Sequence, residues 1–217
     1  MKEKKKEGKL NVNPRRALLL DREGIILALV LGVLLTWFGG LRALTLMIAF
    51  LFIAVAVTKY GYEEKKEFGL YEHERSWENV VSNGLVPLIG LVVSPLLYVT
   101  TVAAMEADKF ASELGVLGGE PRSIITFKKV KRGTSGGMTV FGTWMSMVGG
   151  LTIALLGKML YGYDWWTTLW ITIIAFMGSL ADTLFGVLEE RGIGNKMTTN
   201  IICGLVALIL GYLVFLR

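Results

Sequence analysis

The sequence predicts an all-α, polytopic integral membrane bundle of seven transmembrane helices, with a polar active site at its cytoplasmic face. Three observations predict it. The 217 residues are 53% hydrophobic, with a mean hydropathy of +0.54, too apolar for an ordinary soluble domain. The apolar residues fall in runs whose length suits a bilayer, and charge is concentrated between the runs. Lysine and arginine gather on alternate loops, as the positive-inside rule requires of a chain that crosses repeatedly.

The elements follow in order. Residues 1–23, beginning Met1-Lys2-Glu3-Lys4-Lys5-Lys6-Glu7, read as a basic cytoplasmic segment without the short apolar core and small-residue site of a cleaved signal. Residues 24–217 read as one transmembrane helical domain. Its first two runs, 25–38 and 41–57, are separated only by Gly39-Gly40 and predict a tight helical hairpin. As a single helix, residues 79–117 would be nearly twice the hydrocarbon thickness. Ser94-Pro95 lies near the middle of that stretch, where proline breaks a helix. Two spans, 80–93 and 96–117, are therefore expected. Runs at 138–160, 165–188 and 198–216 complete the seven.

Seven spans put 19 of the 23 Lys and Arg residues on the face that carries the N-terminus. Six spans would divide them far more evenly, so seven with a cytoplasmic N-terminus is the better reading. Trp37 and the cluster Tyr161, Tyr163, Trp165 and Trp166 then fall at the outer interface, where amphipathic rings sit. The predicted location is the cell membrane, multi-pass, with the catalytic loops in the cytoplasm.

Composition also excludes. Cys203 is the only cysteine and lies in an apolar run, so disulfides and multi-cysteine metal sites are ruled out. The net charge of +5 comes from residues flanking spans, which points to membrane orientation and away from nucleic acid. His73, the single histidine, sits in a charged loop and receives no role.

Acidic residues stand where apolar runs end, in Ala107-Asp108-Lys109-Phe110-Ala111-Ser112-Glu113 and Ala181-Asp182-Thr183-Leu184-Phe185-Gly186-Val187-Leu188-Glu189-Glu190. Carboxylates at that depth are expensive unless they line a polar cavity, pair with a cation or hold metal. Asp182 and Glu189, seven apart, share a helical face, whereas Asp108 and Glu113 lie about 140° apart. The natural arrangement joins Asp108 of one helix to Asp182 of another, as carboxylates that hold Mg²⁺ against phosphate oxygens do. Glu113 and Glu189 are further candidate ligands. Salt bridging to Lys109, Arg122, Arg191 or Lys196 is the competing account.

Gly133-Thr134-Ser135-Gly136-Gly137 precedes a span, offering backbone N–H groups, hydroxyls and a helix N-terminus to a phosphate. It lacks the Gly-Lys-Ser/Thr ending of a Walker loop. Lys128, Lys129, Lys131 and Arg132 add positive charge, or simply fix orientation. Arg75, Asn79 and Asn83 enter one span, and Asn195, Lys196 and Asn200 enter another. These suit a headgroup, with helix capping by Thr198 or Asn200 as the alternative.

The ordered segments R-S-W-E-N-V-V-S-N-G, A-D-K-F-A-S-E-L-G-V-L, P-R, G-T-S-G-G and G-S-L-A-D-T-L-F-G resemble the transmembrane protein 19 family, whose relatives include the phytyl-phosphate kinases of plant vitamin E metabolism. The likeness runs from Thr58 to the C-terminus. This chain has Ser135 where the family commonly has asparagine. The resemblance implies transfer of a phosphoryl group from a nucleoside triphosphate, CTP by preference, to a membrane-embedded isoprenyl monophosphate. On that reading Asp108, Asp182 and Glu113 serve catalysis and Mg²⁺, with Glu189 beside them. Arg122, Lys196 and the Gly133–Gly137 segment hold phosphates. Arg75, Asn79, Asn83, Asn195 and Asn200 orient the acceptor or nucleotide. Phosphoryl transfer asks for charge neutralisation and in-line positioning, and an ionised phosphate acceptor needs no strong base. A nucleotidyltransferase making a CDP-lipid, and a transporter or flippase of an anionic lipid or ion, are the rival functions.

Overall fold

A computed structural model describes residues 20–70 and 76–217. Seven helices and one two-stranded antiparallel pair make up the described chain.

Helix α1 (Arg22–Lys59) starts at Asp21, whose carboxylate accepts the Gly24 N–H at 2.6 Å. A straight helix of 38 residues would be about 57 Å long, far beyond the hydrocarbon layer. It is interrupted at Gly40, with φ 66° and ψ −165°, a conformation open to glycine. Its two arms, 22–39 and 41–59, lie side by side: a Cβ placed on Gly32 would stand 3.7 Å from Leu44 Cδ1. The hairpin expected at Gly39-Gly40 is present.

Helix α2 (Tyr62–Glu67) is a short turn inside a stretch that reads as loop in the sequence. Helices α3 (Trp77–Val93) and α4 (Pro95–Gly115) part at Ser94, as expected. Ser94 Oγ accepts the Leu96 N–H, and Pro95 occupies the first helical position, where its missing N–H is harmless. Strands β1 (Arg122–Ser123) and β2 (Gly137–Met138) pair in the register Arg122↔Met138 and Ser123↔Gly137. This two-residue pair closes the loop that bears Gly133–Gly137, and the architecture is helical, as expected. Helices α5 (Val140–Tyr161), α6 (Trp165–Glu189) and α7 (Lys196–Phe215) match the last three expected runs within two residues.

The bundle is built around α4. Fifteen of its 21 residues are buried, and α1, α3, α5, α6 and α7 all pack on it. Small residues allow the close approach: a Cβ on Gly149 of α5 would meet the Glu106 carbonyl at 2.7 Å. Outward positions such as Val33, Phe52, Trp144 and Met159 leave large apolar side chains exposed, which suits lipid. Helices α1, α5, α6 and α7 are long and apolar enough to cross a membrane. Helix α3, with 17 residues, is shorter. Helix α4 carries Glu106, Asp108, Lys109 and Glu113 and takes its apolar surroundings from its neighbours.

Candidate functional site

Three helix ends meet at one charged group. Asp108 lies in the last two turns of α4, Asp182 in those of α6, and Lys196 is the first residue of α7. Lys196 Nζ is 2.9 Å from Asp182 Oδ2 and 3.6 Å from Asp108 Oδ2. The aspartate side chains are about nine-tenths buried, while that of Lys196 is 48% exposed. Lys196, expected on a phosphate, is thus first the partner of the two aspartates. One ammonium between two carboxylates leaves room for further positive charge, and Asp182 Oδ1 is buried without a hydrogen-bond partner.

That donor set can be tested against Mg²⁺. The ion takes one or two protein carboxylates and fills its octahedron with water and substrate phosphate. Asp108, Asp182 and the open Asp182 Oδ1 fit this requirement. The larger set with Glu113 and Glu189 does not assemble: no three His, Cys, Asp or Glu side chains converge as a metal group among the described residues.

Glu113 turns elsewhere. Helix α4 remains helical through Gly115, so the separation of Asp108 and Glu113 around the axis persists. Glu113 Oε2 pairs with Lys65 Nζ at 2.8 Å; Oε1 pairs with Lys109 at 3.0 Å and accepts the Thr58 hydroxyl at 3.1 Å. Lys65 is 1% exposed and also donates to the Val57 and Thr58 carbonyls, each at 3.1 Å. The expected role of Glu113 on metal is therefore corrected to an anchor holding α2 and α1 against α4.

The glycine-rich segment folds over the end of α6. Gly133 and Gly136 have φ of 82° and 80°, and the Gly136 backbone lies so close to Gly186 that a Cβ there would meet its nitrogen at 2.8 Å. The Ser135 N–H donates to Glu190 Oε1 at 2.7 Å. One amide expected on phosphate is thus already held by a carboxylate. Thr139 caps α5, accepting the Gly142 N–H at 3.0 Å. The flanking basic run is partly committed: Lys129 bonds Glu120 and holds its carboxyl below the usual range, and Arg132 donates to the Val116 carbonyl at 3.1 Å.

Two cavities meet at this charged group. One, of about 320 Å³, is lined by Gly133–Gly137, the ends of α4 and α6, Thr183 and Glu189. The other, of about 300 Å³, is mostly apolar and runs between the arms of α1 and helices α3 and α4. Asp108, Lys109, Ser112 and Lys196 line both.

Asn79, Asn83 and Asn200 line the apolar cavity. Asn83 donates to the Asn79 carbonyl at 2.8 Å, and Asn200 Oδ1 is buried without a partner. Other expectations need correction. Arg122 lies on β1, exposed, donating to the Phe127 carbonyl at 3.0 Å, and lines neither cavity. Asn195 caps α7, its Oδ1 accepting the Thr198 N–H at 3.0 Å, so the cap is neither Thr198 nor Asn200. Arg75 and His73 lie outside the described residues. Sequence reasoning missed Lys65 and Thr58, and also buried Ser82, whose Oγ accepts from the Asn83 and Asn200 amides at 3.3 and 3.5 Å. Lys65 sits among Glu63, Glu64, Lys66 and Glu67, and nothing in that run marks one lysine for burial.

Residues 11–208 match the family model described as Integral membrane protein DUF92. The chain belongs to this family. It is 37% identical over 210 residues to an uncharacterized membrane protein of Methanocaldococcus jannaschii, covering 93% of this chain and 88% of that one. An uncharacterized membrane protein of Synechocystis is 30% identical over 174 residues, 73% of this chain and 67% of its own. Protein PGR of Arabidopsis thaliana is 30% identical over 143 residues, 54% of this chain and 50% of its own. No solved structure matches.

Proposed function

We propose that the protein is a nucleotide-dependent isoprenyl-monophosphate kinase, making the isoprenyl diphosphate with CTP as the favoured donor. The observation that carries the proposal is the shared wall of the two cavities. A lipid phosphate needs an apolar channel for its tail and a polar, cationic pocket for its head, and here the two join at Asp108, Lys109, Ser112 and Lys196. The likeness of the motifs to the transmembrane protein 19 family and its phytyl-phosphate kinases supports the same reading.

On this reading the bundle crosses the cell membrane seven times, as the two arms of α1 and helices α3 to α7. Its N-terminus and the polar cavity are cytoplasmic, where nucleotide and Mg²⁺ are available. Asp108 and Asp182 would hold Mg²⁺, which supplies charge neutralisation for the phosphates. Lys196 and Lys109 offset the negative charge of two phosphate-bearing substrates. The Gly133–Gly137 loop offers its remaining backbone donors to the nucleotide. Asn83 and Asn200 stand beside the acceptor, with the open Asn200 Oδ1 available to a donor or water. The helices around α4 exclude water from the lipid side. The in-line approach is then a matter of positioning, with no covalent intermediate on the protein.

The test is a product assay on purified protein with Mg²⁺, geranylgeranyl or phytyl monophosphate, and each of CTP, ATP, GTP and UTP. The expected product is the isoprenyl diphosphate, lost in folded Asp108→Asn and Asp182→Asn variants by about a hundredfold or more. A lipid carrying CMP would instead identify a nucleotidyltransferase. No product from a folded protein that binds the lipid would favour transport.

A further inference from the structure

The depth of the apolar cavity below the charged group follows from ideal helical rise. Gly39 packs on Leu91, so the Gly40 break and the Ser94 break lie at one level of the bundle. From that level, at 1.5 Å per residue, Asp108 stands about 21 Å up α4, Gly32 about 12 Å up the first arm, and Leu44 about 6 Å up the second. The cavity therefore reaches roughly 15 Å below Asp108, about half of the hydrocarbon thickness. Leu35 and Leu44 line its deepest part; Leu35 is fully buried. Ile48 and Leu51, also on the lining, are 43% and 42% exposed, so the cavity opens sideways toward lipid.

Gly32 lies on this path about 9 Å below Asp108, and it leaves space. A Cβ there would meet only Leu44 Cδ1 within 4 Å, at an ordinary contact of 3.7 Å. Gly84, on α3, differs: a Cβ there would strike Leu31 Cδ2 at 2.4 Å. The channel thus has a roomy glycine on one wall and a side chain packed tight against a glycine on the other.

We propose that this channel measures the tail of an anionic lipid, with Gly32 keeping its lower half open and Leu35 and Leu44 ending it. The inference rests on the lipid-phosphate reading of the site and adds chain-length selection to it. The occupant is argued from continuity and charge: below the mouth, where Asn79, Asn83 and Asn200 join the lining, the channel is apolar, and the mouth carries Lys109 and Lys196 beside Asp108. A tail of several isoprene units fills it, and a short one leaves the lower half empty. Each methylene moved from water into an apolar site adds to affinity, so filling favours the longer tail.

The experiment compares binding of geranyl and geranylgeranyl monophosphate to the full chain in detergent, by native mass spectrometry without nucleotide. Wild type is expected to hold the longer tail more tightly. Gly32→Leu is expected to weaken geranylgeranyl phosphate by about tenfold or more and to leave geranyl phosphate unchanged. Gly32→Ala, which suits a helix better than glycine, is expected to behave as wild type. Equal losses for both lipids, or none for either, in folded Gly32→Leu would overturn the proposal. A geranylgeranyl phosphate bearing a terminal photoreactive group provides a second readout in wild type. Crosslinks at residues 35–48 support the channel, and crosslinks confined to other helices refute it. Turnover measured in parallel separates the two readings. Length-dependent binding with no product from any nucleotide would remove the kinase and keep the channel. Diphosphate formation with an unchanged length preference in Gly32→Leu would do the reverse.

Discussion

The Lys65–Glu113 pair makes a prediction whose sign depends on geometry. Lys65 is almost fully buried, and Glu113 Oε2 at 2.8 Å is its carboxylate partner, alongside two carbonyls at 3.1 Å. Glu113 has a second cation, Lys109 at 3.0 Å, and the Thr58 hydroxyl at 3.1 Å. Lys65→Met therefore removes a charge-assisted bond and leaves Glu113 still compensated, a loss of about 2 kcal/mol. Glu113→Gln instead strands a buried ammonium, a loss of about 3–5 kcal/mol. At about 2–4 °C per kcal/mol for a chain of this size, the melting temperature falls about 6 °C in the first variant and about 12 °C in the second. Because the methionine removes the stranded charge, Lys65→Met combined with Glu113→Gln should melt above Glu113→Gln alone. Thermal melts in one detergent, followed by circular dichroism, make the comparison. The reasoning fails if Lys65→Met is the more damaging single change, or if the two losses simply add.

Other outcomes follow from the caps. Asn195→Ala removes the acceptor of the Thr198 N–H, and a loss of about 1 kcal/mol is expected. On the proposed reading, product formation by the folded fraction should persist, whereas a residue that binds substrate directly would lose it; the product assay described above decides. Asp164 caps α6, and its bond from the Thr167 N–H holds its carboxyl below the usual range. A depressed folded pKa gives stability that is complete above the unfolded value of about 3.9 and is lost as pH falls through the folded one. Asn caps a helix without titrating. The melting difference between wild type and Asp164→Asn should thus be constant above about pH 5 and should shift in favour of the variant below about pH 4. A difference independent of pH down to acid unfolding would contradict that assignment.

What could be read from the sequence is what the chain encodes locally. Ser94-Pro95 ends one helix and caps the next with neighbouring residues alone, and Gly39-Gly40 supplies its own reversal. The aspartates were legible because an ionised group at the end of an apolar run needs a reason wherever it lies. Their convergence with Lys196 was partly legible, since all three stand at helix ends expected on one face. The misreadings concern residues whose partners are remote or unexpectedly near. Lys65 is buried only because Glu113, 48 positions away, comes to meet it. Arg122 reads as a free cation until β1 turns it toward the Phe127 carbonyl. Asn195 reads as a headgroup ligand beside a cap expected at Thr198 or Asn200, and only the geometry at Thr198 gives the cap to Asn195.

The placement of α4 explains how a charged site can exist at this depth. A helix with Glu106, Asp108, Lys109 and Glu113 within eight residues would be costly facing lipid. Here five other helices surround it, and their outward faces carry the exposed apolar side chains. The division of labour follows from the sequence: α1, α5, α6 and α7 are long and apolar enough to meet lipid, and α4 carries the charged residues among them. On the proposed reading it also limits where a lipid substrate can enter. The apolar cavity lies on the side where the α1 hairpin, and not a packed single helix, closes the bundle. Separating the arms of a hairpin disturbs less packing than displacing α5 or α6 from α4, where Gly115, Gly142 and Gly149 bring α5 close and Gly178 brings α6 close.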